Sequence, residues 1–149
     1  MTWSGQIVDR LALRDLSDRY ARAVDRRDVE AIVELFTDDA ALSVYEPATA
    51  EAPSRVRRGR AEIAEIPRLI ARYPKTFHFV GNALYEIDDD LATGEVYCVA
   101  HHLIDDPEGA TDHVMLIRYI DTYLRCDDRR WRISDRRLLV DWTEEHRAG

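Results

Sequence analysis

The feature that most restricts the fold of this chain is a change in the spacing of its apolar residues near position 75. Before that point, apolar side chains recur every three or four residues, as on one face of a helix; the first set is Leu13, Leu16, Tyr20 and Val24. After it, they alternate with polar residues, which is typical of strands. Helices followed by a run of adjacent strands predict an α+β fold, with an antiparallel sheet covered by helices on one face.

The first half of the chain predicts three helices. The first spans roughly residues 6–26, and Asp28 caps a short second helix whose apolar stripe extends to Phe36. The segment "FTDDA" is expected to end that helix in a turn, before a short strand "ALSVYE" and a loop "EPATAEAPS". The third helix, "RAEIAEIPRLIARY", follows Gly59, and Pro67 is expected to kink or split it.

Four long strand candidates follow, separated by short polar links. They are "KTFHFVGNALYEI", "ATGEVYCVAHHLI", "DHVMLIRYIDTYLR" and "RWRISDRRLLVDW". Counting by twos in the first places Thr76, His78, Val80 and Asn82 on one face, and Phe77, Phe79, Ala83 and Tyr85 on the other. In the second, Val96, Cys98, Ala100 and His102 oppose Tyr97, Val99 and His101. In the last, Ser134, Arg136, Leu138 and Val140 oppose Ile133, Asp135 and Arg137. Such counting does not decide which face is concave.

Composition limits the class of partner. With 149 residues the chain has the length of one domain, 1–149, and its 46 % hydrophobic and 34 % charged residues are typical of globular proteins. A net charge of −8 argues against nucleic acid and anionic membranes as partners. Cys98 and Cys126 have neither disulfide-framework nor zinc-site spacing, and the start of the chain has no long apolar run. A cytoplasmic protein is therefore expected.

The order and spacing of several segments are similar to a known family. The segments "LRDLSDRYARAVDRRDVEAIVELFTDDAAL", "HFVGN", "ATGEVYCVAHH" and "RYIDTYLRCDDRRWRISDRRLLVDW" resemble the SnoaL-like branch of the nuclear-transport-factor-like superfamily. The resemblance implies a cone-shaped α+β barrel, in which three N-terminal helices pack on a curved, mostly antiparallel sheet and enclose a deep apolar pocket. It also implies a homodimer or higher homo-oligomer, formed through the outer face of the sheet.

Relatives in this branch include scytalone dehydratase, bile-acid 7α-dehydratase, hexachlorocyclohexane dehydrochlorinase and ketosteroid isomerase. The resemblance carries the His–Asp base of the two dehydratases and the dehydrochlorinase onto Asp25 of "AVDRRD" and His78 of "KTFHF", and a pocket tyrosine of the bile-acid enzyme onto Tyr20. It carries a pocket arginine onto Arg136, and His102 is preferred over His101 as the histidine of the second strand. Further candidate substrate-binding residues are Tyr119, Cys98 and Leu138.

These residue types suit the removal of a proton from carbon. Imidazole, with an unperturbed pKa of ~6.5, is available as a base at physiological pH and becomes an acid after the transfer. A carboxylate on its other nitrogen selects the tautomer, a phenol can donate to a developing oxyanion, and an arginine can stabilise the same charge. No step requires a cofactor or a metal. His101 and His102 are strand neighbours on opposite faces and therefore do not share a metal ion.

Three functions follow from this interpretation. The first is a cofactor-free lyase or isomerase acting on a hydrophobic polycyclic, polyketide-like or steroid-like molecule. The second is a cyclase or epoxide-opening enzyme that uses Tyr20, Asp25 and Arg136. The third is a non-catalytic small-molecule carrier or accessory subunit, which does not need Asp25 and His78 within hydrogen-bond distance. Each residue also has a structural alternative: Asp25 in a helix cap or an arginine pair, Tyr20 in the core, and Arg136 on the surface.

Overall fold

The computed structural model describes residues 3–148. The elements, in chain order, are α1 (Trp3–Asp25), α2 (Val29–Glu34), β1 (Phe36–Tyr45), β2 (Arg55–Arg58), α3 (Gly59–Ile63), α4 (Ile66–Leu69), β3 (Lys75–Asp88), β4 (Leu91–Asp106), β5 (Gly109–Arg125) and β6 (Trp131–Ala148). None of the helices in this described range is long and apolar enough to cross a membrane. The four long strands predicted from the alternating pattern are confirmed as β3 to β6.

The strands form one sheet in the order β2-β1-β6-β5-β4-β3. β1 pairs with β6 in parallel, and all the other pairs are antiparallel. The predicted fold class is confirmed: three helices, the third of them broken, pack on a six-stranded, mostly antiparallel, curled sheet. Because β2 and β3 lie at opposite edges and do not pair, the sheet curls without closing into a barrel.

The first half of the chain differs from the prediction at Phe36. This residue is the first of β1 rather than the last of the helical stripe, and "FTDDA" continues in the strand instead of forming a turn. α2 ends earlier because Leu35 terminates it, and the Phe36 side chain is fully buried edge-on against Tyr20, with ring centroids 6.0 Å apart. The short strand β2, "RVRR", was not predicted, since it has no apolar alternation. Pro67 does split the third helix, as expected.

Two of the three register shifts in the long strands reverse faces that the alternating pattern predicts. In β3 the register slips between Val80 and Ala83, so that Ala83 and Tyr85 turn to the same side as His78. In β6 a similar slip lies between Ile133 and Asp135, and both Ile133 and Arg136 are buried. The sequence pattern predicts that Ala83 and Tyr85 face away from His78, and that Ile133 faces away from Arg136. Both predictions are wrong, because a bulge inserts one residue and reverses the alternation after it.

The core lies between α1 and the inner face of the sheet. The predicted stripe Leu13, Leu16, Tyr20 and Val24 is buried there, and it packs against inward residues of all four long strands. α1 runs along this face and ends at Asp25, close to the start of β3. The helix stripe therefore determines where the carboxylate of Asp25 meets the sheet.

Candidate active site

Asp25 and His78 are in direct contact. Asp25 is the last residue of α1, and His78 projects from the inner face of β3, with its Nδ1 2.7 Å from Oδ1 of Asp25. The side chains are 21 % and 8 % exposed, respectively, so the pair lies near the surface without being open to it. Two residues that are 53 positions apart in the chain are thus brought together by the packing of α1 on β3.

The Asp25 carboxylate accepts two further hydrogen bonds. The backbone N–H of His78 donates to Oδ2 at 3.0 Å, and the Thr76 hydroxyl donates to Oδ1 at 2.9 Å. Partial burial raises the pKa of Asp25, but the hydrogen bonds from His78 and Thr76 outweigh this effect and hold the pKa below its usual value. The carboxylate is therefore ionised at physiological pH and has a fixed orientation.

This arrangement determines which nitrogen of His78 can act as a base. An ionised carboxylate accepts hydrogen bonds and does not donate them, so Nδ1 carries the proton that points at Asp25. The neutral imidazole then has its lone pair on Nε2. The pair therefore has the chemical form of an oriented general base.

His102 packs beside His78 on the inner face of the sheet. Its ring is edge-on to the His78 ring at 5.6 Å and lies 4.8 Å from the ring of Tyr73. Burial and the neighbouring His78 lower the pKa of His102 to about 4, so this imidazole is neutral at physiological pH. His101 lies on the outer face, where Nδ1 is 2.6 Å from a carboxylate oxygen of Asp112. The structure places His102, rather than His101, beside the Asp25–His78 pair.

Arg136 lies deeper, at the centre of the fold. Its guanidinium sits between the rings of Tyr20 and Tyr119, at 4.4 and 4.1 Å from their centroids. Nε and Nη2 donate to the two carboxylate oxygens of Asp121 at 2.9 and 2.7 Å. Tyr123 donates a further hydrogen bond to Asp121 at 2.7 Å. The Asp121–Arg136 pair is thus a charge-balanced pair in which both side chains have no exposed surface.

The other predicted residues surround this buried pair. Burial raises the pKa of the Tyr20 and Tyr119 phenols, and it raises the pKa of the Cys98 thiol to about 11, so all three keep their protons. Leu138 is partly buried against the same cluster. Because Arg136 and Tyr119 have almost no exposed surface, a ligand would have to displace neighbouring side chains to contact them, whereas Cys98 lines a cavity of about 220 Å³. Their role in substrate binding stays a prediction.

Asp121, the hydrogen-bond partner of Arg136, was not predicted from the sequence. It lies on β5 between Tyr119 and Tyr123, which are both buried. An aspartate at an inward position of an alternating strand, "YIDTY", was the available signal. Its partner could not be found in this way, because Arg136 is one of several arginines in β6 and the bulge there changes its face.

Two cavities bear on access to the site. One of about 370 Å³ lies at the start of β3, with walls that include Asp25, Thr76 and Pro74, and it does not extend to Tyr20 or Arg136. A larger one, of about 670 Å³, lies between α1 and the β5–β6 turn, and arginines dominate its walls. None of the predicted site residues lines the larger cavity, so its size says nothing about the chemistry of the Asp25–His78 pair. The smaller cavity reaches Asp25 of the pair, and its walls also include Phe77 and His101.

A family model for the SnoaL-like domain matches residues 5–137. The match extends from α1 into β6 and includes Asp25, His78 and Arg136. This chain belongs to the SnoaL-like domain family. The membership confirms the resemblance drawn from the sequence segments.

Solved structures similar to this SnoaL-like domain support the fold. A Mycobacterium tuberculosis protein of unknown function, Rv3472, is 28 % identical, with a TM-score of 0.77 over 93 % of this chain and 75 % of that one. A proposed scytalone dehydratase from Novosphingobium aromaticivorans is 19 % identical, with a TM-score of 0.82 over 99 % and 94 %. A hexachlorocyclohexane dehydrochlorinase, LinA type 2, is 20 % identical, with a TM-score of 0.80 over 97 % and 92 %. Among curated proteins, none matches the sequence significantly.

Proposed function

We propose that this SnoaL-like domain is a cofactor-free lyase or isomerase in which His78 is the general base and Asp25 orients it. The observation that carries the proposal is the 2.7 Å contact between Nδ1 of His78 and Oδ1 of Asp25, in a carboxylate held by two further hydrogen bonds. Two structural neighbours, a proposed scytalone dehydratase and a hexachlorocyclohexane dehydrochlorinase, are named for reactions of the same class. A non-catalytic module has no need of this geometry.

The chemistry would proceed by proton transfer alone. Nε2 of His78 takes a proton from a weakly acidic C–H bond of the substrate. In an elimination, the electron pair of that bond forms a carbon–carbon double bond as the leaving group departs with its own bonding pair. In an isomerisation no group leaves, and a conjugated carbonyl group of the substrate holds the electron pair as an enolate until another carbon is protonated. The imidazolium is stabilised by the Asp25 carboxylate, and it returns the proton to the leaving group or, in an isomerisation, to another carbon. General-base catalysis of this kind typically contributes about 10²–10⁴-fold.

The charges near the site favour an uncharged substrate. Arg136 is already neutralised by Asp121, so it offers no net positive charge to a carboxylate. His102 is neutral and can exchange a hydrogen bond with a hydroxyl or carbonyl group. The proposed substrate is therefore a hydrophobic, polycyclic, polyketide-like or steroid-like molecule with an oxygen substituent.

A panel of cyclic hydroxyketones, unsaturated ketones, chlorinated cyclohexanes and epoxides tests the proposal, with product analysis by mass spectrometry. Elimination or double-bond migration that is lost in His78→Ala supports it. Turnover of the epoxides alone would instead support the cyclase or epoxide-opening alternative. Full activity in His78→Ala would overturn the assignment of the base.

A second candidate is a non-catalytic binding or accessory subunit of the same fold. One observation favours it: Arg136 and Tyr119 are almost completely buried, and neither residue lines the cavities of about 670, 220 and 370 Å³. Saturable binding of the same panel without any product would support this candidate over the enzyme.

We also propose that the protein forms a homodimer through the outer face of the sheet. Four apolar residues pair directly across β3 to β6 in one row: Phe79, Val99, Leu116 and Trp142. Phe79 and Trp142 are 61 % and 56 % exposed, and a contiguous apolar surface of this kind marks an interaction site. Light scattering should give twice the mass of 17.3 kDa, and Trp142→Lys should shift it to the monomer mass.

A further inference from the structure

The helix α1 ends in an unusual way, next to the candidate base. Asp28 N–H donates to the carbonyl of Ala23 at 2.9 Å and Arg27 N–H donates to the carbonyl of Val24 at 3.1 Å, which is the Schellman arrangement. The left-handed position of this motif is usually glycine. Here it is Arg27, with φ of 59°. Because a side chain at this position strains the backbone, its retention calls for a compensating interaction.

The Arg27 guanidinium makes that interaction at the start of β3. Nη1 donates to the Thr76 hydroxyl oxygen at 2.8 Å and to the carbonyl of Val24 at 2.8 Å. Nη2 donates to the carbonyl of Tyr73 at 3.0 Å. One planar group thus connects the end of α1 to the segment that carries Thr76 and His78.

The contact with Thr76 determines the direction of a hydrogen bond on Asp25. Arginine is always a donor, so the Thr76 oxygen accepts from Nη1, and its own proton is free to point at Oδ1 of Asp25, 2.9 Å away. Oδ1 is also the oxygen that accepts from Nδ1 of His78. Arg27 therefore donates to Thr76 and Thr76 donates to Asp25, and the carboxylate oxygen that accepts from Thr76 also accepts from His78.

We propose that Arg27 and Thr76 are positioning residues of the Asp25–His78 pair: Arg27 orients the Thr76 hydroxyl, and that hydroxyl fixes the carboxylate that selects the His78 tautomer. The proposal rests on the proposed role of His78 as a base. Its measurable consequences are the His78 tautomer and the pKa of Asp25 in the ligand-free protein. The positioning roles can therefore be disproved while the activity is confirmed, and they can be confirmed while the activity is disproved.

Nuclear magnetic resonance of the ligand-free protein tests it. Ring ¹⁵N shifts report the His78 tautomer, and carboxyl ¹³C shifts over a pH series report the pKa of Asp25. The variants are Arg27→Gly, which keeps the left-handed backbone without strain, Thr76→Val, which removes only the hydroxyl, and Thr76→Ser, which restores it. Arg129→Gly is the matched control, because Arg129 is also left-handed, with φ of 65°, and lies in the distant β5–β6 turn.

In Arg27→Gly and in Thr76→Val we expect the pKa of Asp25 to rise and the Nε2–H tautomer of His78 to gain population. Thr76→Ser and Arg129→Gly should give the wild-type values. The double variant Arg27→Gly/Thr76→Val should shift no further than Thr76→Val alone, because Arg27 acts on the Asp25 carboxylate only through the Thr76 hydroxyl.

If Arg27→Gly keeps both wild-type values while Thr76→Val changes them, Arg27 merely caps the helix and the proposal is wrong. If Arg27→Gly does not fold, the contact between Arg27 and Thr76 is tested in Thr76→Val by measuring the side-chain N–H signals of Arg27. Loss of the Thr76 acceptor should then speed hydrogen exchange at the Arg27 guanidinium and leave the Arg129 rate unchanged. An Arg27 exchange rate in Thr76→Val equal to that of the wild type would overturn the proposal.

Discussion

The Asp25–His78 pair and the Asp121–Arg136 pair each join a carboxylate to a nitrogen-containing side chain, but the two pairs lie in different surroundings. Asp25 and His78 meet at the end of α1, beside a cavity of about 370 Å³, and Nε2 of His78 has no part in the contact. Asp121 and Arg136 lie without exposed surface between two tyrosine rings, and two hydrogen bonds join their ionised groups. In the first pair, Nε2 of His78 lies outside the hydrogen bond, whereas in the second pair Arg136 donates to both carboxylate oxygens of Asp121.

The largest expected effect on stability is at the buried pair. Asp121→Ala leaves the Arg136 charge enclosed without a partner, and removing one member of a buried pair costs about 3–5 kcal/mol. Urea unfolding measures this loss. The double variant Asp121→Leu/Arg136→Met removes both charges and should recover most of it. A loss below about 1 kcal/mol in Asp121→Ala would break the distinction between the two pairs, because exposed pairs contribute that little.

In the Asp25–His78 pair, Asp25→Asn should lower the reaction rate strongly and the stability only slightly. The amide keeps the shape of the side chain but no longer stabilises the imidazolium, so we expect the elimination or isomerisation rate to fall by about 10²–10⁴-fold. The free energy of unfolding should fall by less than in Asp121→Ala, since Asp25 is partly open to water. Steady-state rates and urea unfolding on the same samples measure both. A rate equal to wild type would remove the reason to distinguish the pairs by function.

His102, which packs beside His78, makes the stability of the protein depend on pH. Its folded pKa, about 4, is lower than the usual ~6.5 of an unfolded histidine, so between these values the unfolded state binds more protons. The contribution of His102 is fully present above pH ~6.5 and is lost as the pH falls to about 4, by up to about 3 kcal/mol. Urea unfolding from pH 7 to 4 should show this slope, and His102→Gln should flatten it. An unchanged slope in His102→Gln would assign the pH dependence to other groups.

The smallest expected effect is that of Gly94→Ala, which tests how tightly the tyrosines near Asp121 are packed. A Cβ at Gly94 would lie 2.7 Å from Cδ1 of Tyr85 and 3.1 Å from Cε2 of Tyr123, whose hydroxyl donates to Asp121. Gly94→Ala should therefore cost about 1–3 kcal/mol by overpacking. Gly81→Ala is the matched control in β3, because its Cβ would come no closer than 3.8 Å to its neighbours. Equal thermal stability of the two variants would show that the tyrosines have room to move.

The parts of the fold that depend on local pattern were predictable. The stripe from Leu13 to Val24 identified α1, and the alternation after residue 75 identified four strands. Phe36 was placed in a helix because its spacing from Val29 and Ile32 suits one; the tertiary contact with Tyr20 places it in β1 instead. β2 escaped prediction because a four-residue edge strand of mostly arginines has no apolar face.

The candidate site divides along the same line. Family resemblance suggested Asp25 and His78, and the alternation of β4 put His102 and His101 on opposite faces, as observed. Neither source indicated the contact of Asp121 with Arg136 or the contact of Arg27 with Thr76, because hydrogen bonds between residues distant in the chain leave no periodic signal. The interior also proved filled around Arg136, since a bulge in β6 and a carboxylate on β5 turn this arginine into part of the core.

The sequence by itself determined the order of helices and strands, because apolar periodicity is a property of neighbouring residues along the chain. Only the tertiary structure decided which side chains meet. Bulges reverse the faces of strands, and the docking of α1 on the sheet brings the Asp25 carboxylate to the His78 imidazole. Short-range spacing dictates local conformation, whereas contacts between distant residues depend on how the whole chain packs.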